Sequence, residues 1–203
     1  LDTFLYRASH DLRSPVLSMM GLMQIIDHVG RAEIVQHVGL ATGNMNRIIN
    51  KLVDISEISQ EATNHKTINI LGTINKIRNK NLVMIGGVRV RGSSAIFVNP
   101  KPVQFDVVCS ESLQLHTSPS LIEIILDNLI GNAIFFANLK ESAEPLRVEV
   151  KAEMRDNNLE LSVFDNGVGI VKAVWPKVFS MFFTGNVNSK ASGLGLYPVK
   201  KCV

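Results

Sequence analysis

Two stretches near the start of the chain carry apolar or small residues at alternating steps of three and four, and few features restrict a fold more. The first runs Leu5, Ala8, Leu12, Pro15, Met19, Leu22, Ile26 and Val29; the second runs Ile34, Val38, Ala41, Met45, Ile48, Leu52, Ile55 and Ser59. Such spacing lays one apolar seam along each of two long helices. Gly30, between them, can take the left-handed conformation that ends a helix. The prediction is an antiparallel helical hairpin. A single hairpin has too little partner surface for both seams, so a homodimeric four-helix bundle is the economical arrangement.

His10 stands out in this frame. With Leu5 at position a and Ala8 at position d, His10 takes position f, which points directly away from the seam. An exposed histidine alone is most often a solvated surface group. Here Asp11 follows at once and can accept a hydrogen bond from the imidazole, fixing its tautomer. Pro15, about one turn further on, deletes a helical hydrogen bond and bends the axis. A costly proline beside an exposed His-Asp pair suggests a shaped site.

The heptads fade at Ile58 and Ser59, and the polar stretch 61–66 reads as a connector, which divides the chain into 1–65 and 66–203. The second region is mixed in period. Residues 68–71 read as a short strand and 72–80 as a short helix; 88–91, 95–98 and 103–108 read as strands. Ser118-Pro119-Ser120 opens an amphipathic helix with Leu121, Ile122, Ile125, Leu126, Leu129, Ile130 and Ala133 on one side. Residues 147–154 and 159–164 flank Arg155-Asp156-Asn157-Asn158 as an antiparallel hairpin, and 197–203 as a helix. The expected architecture is an α+β sandwich, one mixed sheet under a helical layer.

Composition closes off other classes. With 46% hydrophobic residues and a net charge of +3 in 203 residues, the chain has the apolar content for a packed core and is not a disordered segment. Cys109 and Cys202 form neither a disulfide framework nor a metal-ligand spacing, which fits a reducing compartment. Lys and Arg are scattered despite a pI of 8.9, so nucleic acid is not an expected partner. No uncharged apolar run of membrane-spanning length or signal peptide is present. The absence of a starting Met suggests a piece of something longer.

Three clusters in the second region could carry chemistry. Asn128 and Asn132, four apart, stack on one side of the amphipathic helix. Their carboxamide oxygens suit Mg2+ alongside phosphate oxygens, although two polar residues at a helix edge are also commonplace. Asp165-Asn166-Gly167-Val168-Gly169-Ile170 follows a strand. Asn-Gly there is an ordinary turn signal; alternatively Asp165 accepts from an exocyclic amine while the glycines admit a nucleotide. Ser192-Gly193-Leu194-Gly195-Leu196 enters a helix, where free N–H groups suit an anion or plain capping explains the serine.

Taken in order, these segments resemble the core of a sensor histidine kinase of a two-component system. SHDLRSP (9–15) looks like the H-box of the dimerisation and phosphoacceptor hairpin, NLIGNA (128–133) the N-box, and DNGVGI (165–170) the G1 box. FSMFF (179–183) looks like the F-box and SGLGLY (192–197) the G2 box. The resemblance implies a dimeric four-helix bundle of all-α hairpins followed by an α+β sandwich of the GHKL ATPase type. It implies ATP and Mg2+ as cofactors, a homodimer, a response-regulator receiver domain as partner, and a cytoplasmic location within a longer sensor protein. His10 would be the phosphoacceptor, with Asp11 orienting its ring and taking its proton. Asn132, with Asn128 beside it, would hold Mg2+; Asp165 would read the adenine amine, with Gly167 and Gly169 lining that pocket. Gly193 and Gly195 would face the phosphates at the edge of a lid, 171–191, anchored by Phe179, Phe182 and Phe183. Ser14, one turn after His10, would orient water for dephosphorylating the regulator.

The sequence also departs from the family. Phe135 stands where the N-box usually carries Lys or Arg, and Ala191 replaces a Gly before the G2 box. Pro198 falls inside the first turn of the last helix, and residues 82–102 are longer and richer in glycine than the usual link. The chain stops at Val203, where the family normally continues through more helix and two strands, so the sandwich is expected to be C-terminally incomplete. These departures keep open a catalytically impaired dimeric scaffold or phosphotransfer relay. A chaperone-type or mismatch-repair-type ATPase of the same fold is the third reading, against which SHDLRSP argues.

Overall fold

The computed structural model describes residues 9, 12–21, 31–60, 64–85, 103–138, 144–181, 183 and 193–203. Residues 12–21 are helical (α1), and α2 spans Arg31–Gln60. Along α2 the heptad seam is where the spacing places it: Ile34, Ala41 and Ile48, seven apart, are buried, with Val38 and Met45 half-buried between them and Leu52 and Ile55 half-buried beyond. The helices touch at Thr42, whose hydroxyl lies 3.7 Å from Met19 Sδ while bonding back to the Val38 carbonyl at 2.8 Å. Gly30 lies outside the described residues.

The second region runs β1 (Lys66–Asn69), α3 (Ile70–Ile85), β2 (Val103–Cys109), β3 (Gln114–Thr117), α4 (Pro119–Asn138), β4 (Leu146–Arg155), β5 (Asn158–Asp165), a 3-10 turn (Lys172–Lys177) and α5 (Leu196–Cys202). Among the described residues the strands form two sheets rather than the single sheet expected. One pairs β1 with β3 antiparallel; the other has the order β2-β4-β5, with β2 parallel to β4 and β4 antiparallel to β5. The expected strands at 88–91 and 95–98 lie outside the described residues.

Local chemistry sets the boundaries. The strand expected at 68–71 ends at Asn69, because Asn69 Oδ1 accepts the Gly72 N–H at 2.6 Å and so caps a helix that begins at Ile70. Asn69 Nδ2 also donates to the Glu111 carbonyl at 2.7 Å, tying α3 to the turn before β3. The β4–β5 hairpin turns on Asp156 and Asn157, at φ 49° and 66°, with Arg155 opposite Asn158. Asp and Asn tolerate that left-handed region better than other side chains, which is why this pair can make so tight a turn. Pro119 opens α4 at its first position, where its missing N–H costs nothing.

Alternation along β4 sends Leu146, Val148, Val150 and Ala152 inward against α3 and α4. They meet Ile70, Ile74 and Ile77 of α3, then Ile122, Ile125, Leu126, Ile130 and Ala133 of α4; Val199 of α5 closes one end. Pro198, unusual for its position but expected to be tolerated in a first turn, is buried two residues after the start of α5, where the first-turn N–H has no helical acceptor anyway.

Candidate functional site

The candidate residues lie at the end of β5 and in the turn after it, on α4, and in the segment that enters α5. Leu159, Leu161 and Val163 point inward along β5, and the same period of two brings Asp165 onto that face as the last residue of the strand. Asp165 sits opposite Val148 in the register and is half-buried. Its Oδ1 accepts the Gly167 N–H at 2.8 Å, and among the described residues its other oxygen has no partner. The carboxylate is thus held by its own turn with one oxygen left for an outside donor.

Asn166, to which the sequence reading gave no role, locks this turn in place. Its Oδ1 accepts the Arg147 N–H at 2.9 Å and its Nδ2 donates to the Pro145 carbonyl at 3.1 Å, clamping the segment to the start of β4. Trp175 was missed as well: its indole N–H donates to the Ile170 carbonyl at 3.0 Å and secures the far end of 165–170. A lone Trp in a loop gives no warning of such a bond. Gly169 has φ +68° with open space around it, so the glycine answers a backbone demand, not a crowded approach.

On α4 the two carboxamides differ. Asn128 is 2% exposed; its Nδ2 donates to the Ile124 carbonyl at 2.7 Å, while its Oδ1 is buried without a partner. An orphaned buried acceptor is costly and calls for a ligand, water or ion. Asn132, one turn on, is half-buried, and among the described residues neither end of its carboxamide is hydrogen-bonded.

Facing Asn132 is the third segment. Gly193 adopts φ +66°, Leu194 is fully buried, and Gly195 precedes α5 in ordinary right-handed geometry. A Cβ on Gly195 would lie 3.0 Å from both Nδ2 and Oδ1 of Asn132. The two glycines therefore exist for different reasons: Gly193 for its φ, Gly195 for the approach to Asn132.

Two carboxamide oxygens without hydrogen-bond partners among the described residues, a glycine packed against one of those carboxamides, and a carboxylate with a spare oxygen are donor types that suit a nucleotide with a divalent cation. Hard oxygen donors suit Mg2+ shared with phosphate oxygens. Of the remaining expected residues, Ser14 is exposed on α1, its carbonyl accepting from Ser18 Oγ at 3.1 Å. His10, Asp11 and Phe182, together with the side chain of Phe135, lie outside the described residues. Phe179 is exposed and Phe183 half-buried, with the Phe183 N–H bonded to the Ser180 carbonyl.

Residues 117–203 match the family model for histidine kinase-, DNA gyrase B- and HSP90-like ATPases. Relatives with sequence similarity along nearly the whole chain include the autoinducer 2 sensor kinase/phosphatase LuxQ of Vibrio vulnificus, 28% identical over 98% of this chain and 23% of the relative. The sensor protein KdpD of Escherichia coli is 28% identical over 96% of this chain and 20% of the relative. The chain thus spans about a fifth of the length of these relatives. Among solved structures, histidine kinase AdeS of Acinetobacter baumannii has a TM-score of 0.65 at 19% identity, covering 95% of this chain and 85% of that one. Histidine kinase ThkA, solved in complex with response regulator protein TrrA, has a TM-score of 0.62 at 20% identity, covering 90% of this chain and 50% of that one. Residues 117–203 are thus similar to histidine kinase-, DNA gyrase B- and HSP90-like ATPases, and the chain as a whole is similar to sensor histidine kinases.

Proposed function

We propose that this chain is the core of an ATP-dependent protein-histidine kinase that autophosphorylates on His10 and passes the phosphoryl group to a response-regulator aspartate. The observation that carries the reading is the meeting of Asn132 with Gly195, beside the buried, unpartnered Oδ1 of Asn128. Asn128 and Asn132 would hold Mg2+ with the phosphates of ATP. The bound ion would spread and neutralise phosphate charge.

Asp165 accepts the adenine amine on its free oxygen, with Gly167 and Gly169 lining the pocket, and Gly193 and Gly195 stand beside the phosphates. An imidazole nitrogen of His10 bonds to the γ-phosphorus as the bond from that phosphorus to the β,γ-bridging oxygen breaks. ADP departs, and Asp11 takes the imidazole proton. Positioning supplies most of the catalysis in such a reaction. Ser14, exposed on α1, would orient water when the regulator is dephosphorylated.

The division into a phosphoacceptor region, 1–65, and an ATPase domain, 66–203, belongs to this reading, as does a cytoplasmic location. Leu17 and Met20 on α1 and Val35, Ile49 and Val53 on α2 are exposed, which supports a second copy completing a four-helix bundle. A receiver domain as partner is supported by the fold shared with ThkA, whose structure holds a response regulator. Titration with a fluorescent ATP analogue tests the site: saturable, Mg2+-dependent binding is expected, weakened at least tenfold in Asn132→Ala. Equal binding by that variant would remove Asn132 from the site.

A further inference from the structure

Two histidines outside the candidate site stand together on the two-stranded sheet. His116, on β3, is directly opposite Thr67 in the β1–β3 register, and His65 immediately precedes β1. Alternation turns Ile68 and Leu115 toward the core and leaves His65, Thr67 and His116 exposed on the other face. The ring centres of His65 and His116 are 6.0 Å apart, with the rings tilted by 39°. Thr67 Oγ1 lies 3.4 Å from His116 Nδ1. Among the described residues no hydrogen bond takes up His116 Nε2 or either ring nitrogen of His65.

We infer that His65 and His116 form a two-imidazole site for a borderline transition-metal dication, Zn2+ being the representative ion. Imidazole nitrogen suits such ions, whereas Mg2+ takes oxygen. With metal–nitrogen bonds of about 2.1 Å, two imidazoles on one ion have their centres about 5–6.5 Å apart, depending on the angle at the metal. The observed 6.0 Å lies within that span. Thr67 selects the nitrogen. When its hydroxyl oxygen accepts from the His116 Nδ1–H, the lone pair is fixed on Nε2, which is then the ligand atom. Among the described residues no group of three or more His, Cys, Asp or Glu could hold a metal, so water completes the shell. Such a site is open and exchanges its ion with solvent, unlike a closed four-ligand structural site. A bound ion ties the residue before β1 to the strand that leads into α4, the helix of Asn128 and Asn132. The site rests on its own geometry and does not require the proposed kinase activity.

Calorimetric titration of the whole chain with ZnCl2 in excess Mg2+, alongside NMR of its nitrogen-labelled histidine rings, gives a readout independent of catalysis. The expected result is a Zn2+ ion that Mg2+ does not displace and that shifts the ring signals of His65 and His116 together. His65→Gln and His116→Gln are each expected to weaken that binding at least tenfold, and Thr67→Val about tenfold, the scale of losing a ligand's outer partner. His37→Gln, on α2, is expected to bind as the wild type does. All four positions are exposed, so metal-free melting temperatures should stay near wild type. If one histidine variant melts well below the wild type, the other decides. Unweakened binding by a folded histidine variant overturns the site, as does a shift confined to one of the two rings. So does the absence of Zn2+ binding up to about 1 mM.

Discussion

Gly195 packs so closely on Asn132 that a methyl group on the glycine would sit 3.0 Å from both polar atoms of the carboxamide, which would have to shift to admit it. The contact joins the helix that carries Asn128 and Asn132 to the turn that enters α5. Gly195→Ala is expected to push the Asn132 carboxamide out of place and to weaken ATP-analogue binding at least tenfold, with little change in melting temperature. The contact explains the loss only if Gly195→Ala costs no further affinity in an Asn132→Ala background; an undiminished second loss would place the cause elsewhere.

Asp165→Asn tests the other end of the site. The amide oxygen can still accept the Gly167 N–H, so the turn survives. A charged hydrogen bond to a ligand is worth about 1.5–3 kcal/mol, so affinity for an adenine nucleotide should fall about ten- to a hundredfold. Circular dichroism melting should be nearly unchanged. A large drop in melting temperature would make Asp165 a structural residue instead.

Core packing gives a stability prediction. Leu126 and Ile130 are fully buried between α3 and β4. Leu126→Ala should cost about 2–5 kcal/mol in urea unfolding, the usual range for emptying such a site. A cost below 1 kcal/mol would mean that α4 repacks freely.

The hairpin turn at Asp156 and Asn157 predicts a backbone effect. Asn157→Val forces a β-branched residue to φ 66°, at a cost of about 1–2 kcal/mol, whereas Asn157→Gly is expected to be neutral or stabilising. Equal melting temperatures for the two variants would contradict the assigned turn.

Cys202 makes stability depend on pH. Burial first, and the Asp54 carboxylate second, push its thiol from the usual value of 9.0 up to about 11. A raised folded value means that the neutral thiol favours the folded state. Its contribution is complete below pH 9 and fades as pH rises toward 11. Cys202→Ala should therefore flatten the loss of stability between those limits in a pH series of urea melts; an unchanged slope would remove the thiol as its cause.

How much of this was legible depended on whether the cause was local. The heptad seam of α2, the Asp156-Asn157 turn and the Pro119 helix start are written in neighbouring residues, and each stands where the spacing put it. The start of α3 was misplaced because Ile70 and Leu71 read as the end of a strand until the Asn69 carboxamide is seen capping the helix. β3 was not anticipated: four residues with two inward positions carry almost no period, and its partner β1 lies far earlier in the chain. In the candidate site the three motifs were visible, but their physical reasons were not. Gly193 and Gly195 look alike in sequence, yet one is there for φ and the other for Asn132. The Lys51–Asp127 pair joins helices whose sequences give no hint of each other.

Incubating the chain with γ-labelled ATP and Mg2+, with His10→Gln as control, tests the proposed kinase activity most directly. The account predicts acid-labile, base-stable label on the wild-type chain and none on the control. Label that persists without His10, or a folded, ATP-binding dimer that never takes up label, would contradict it.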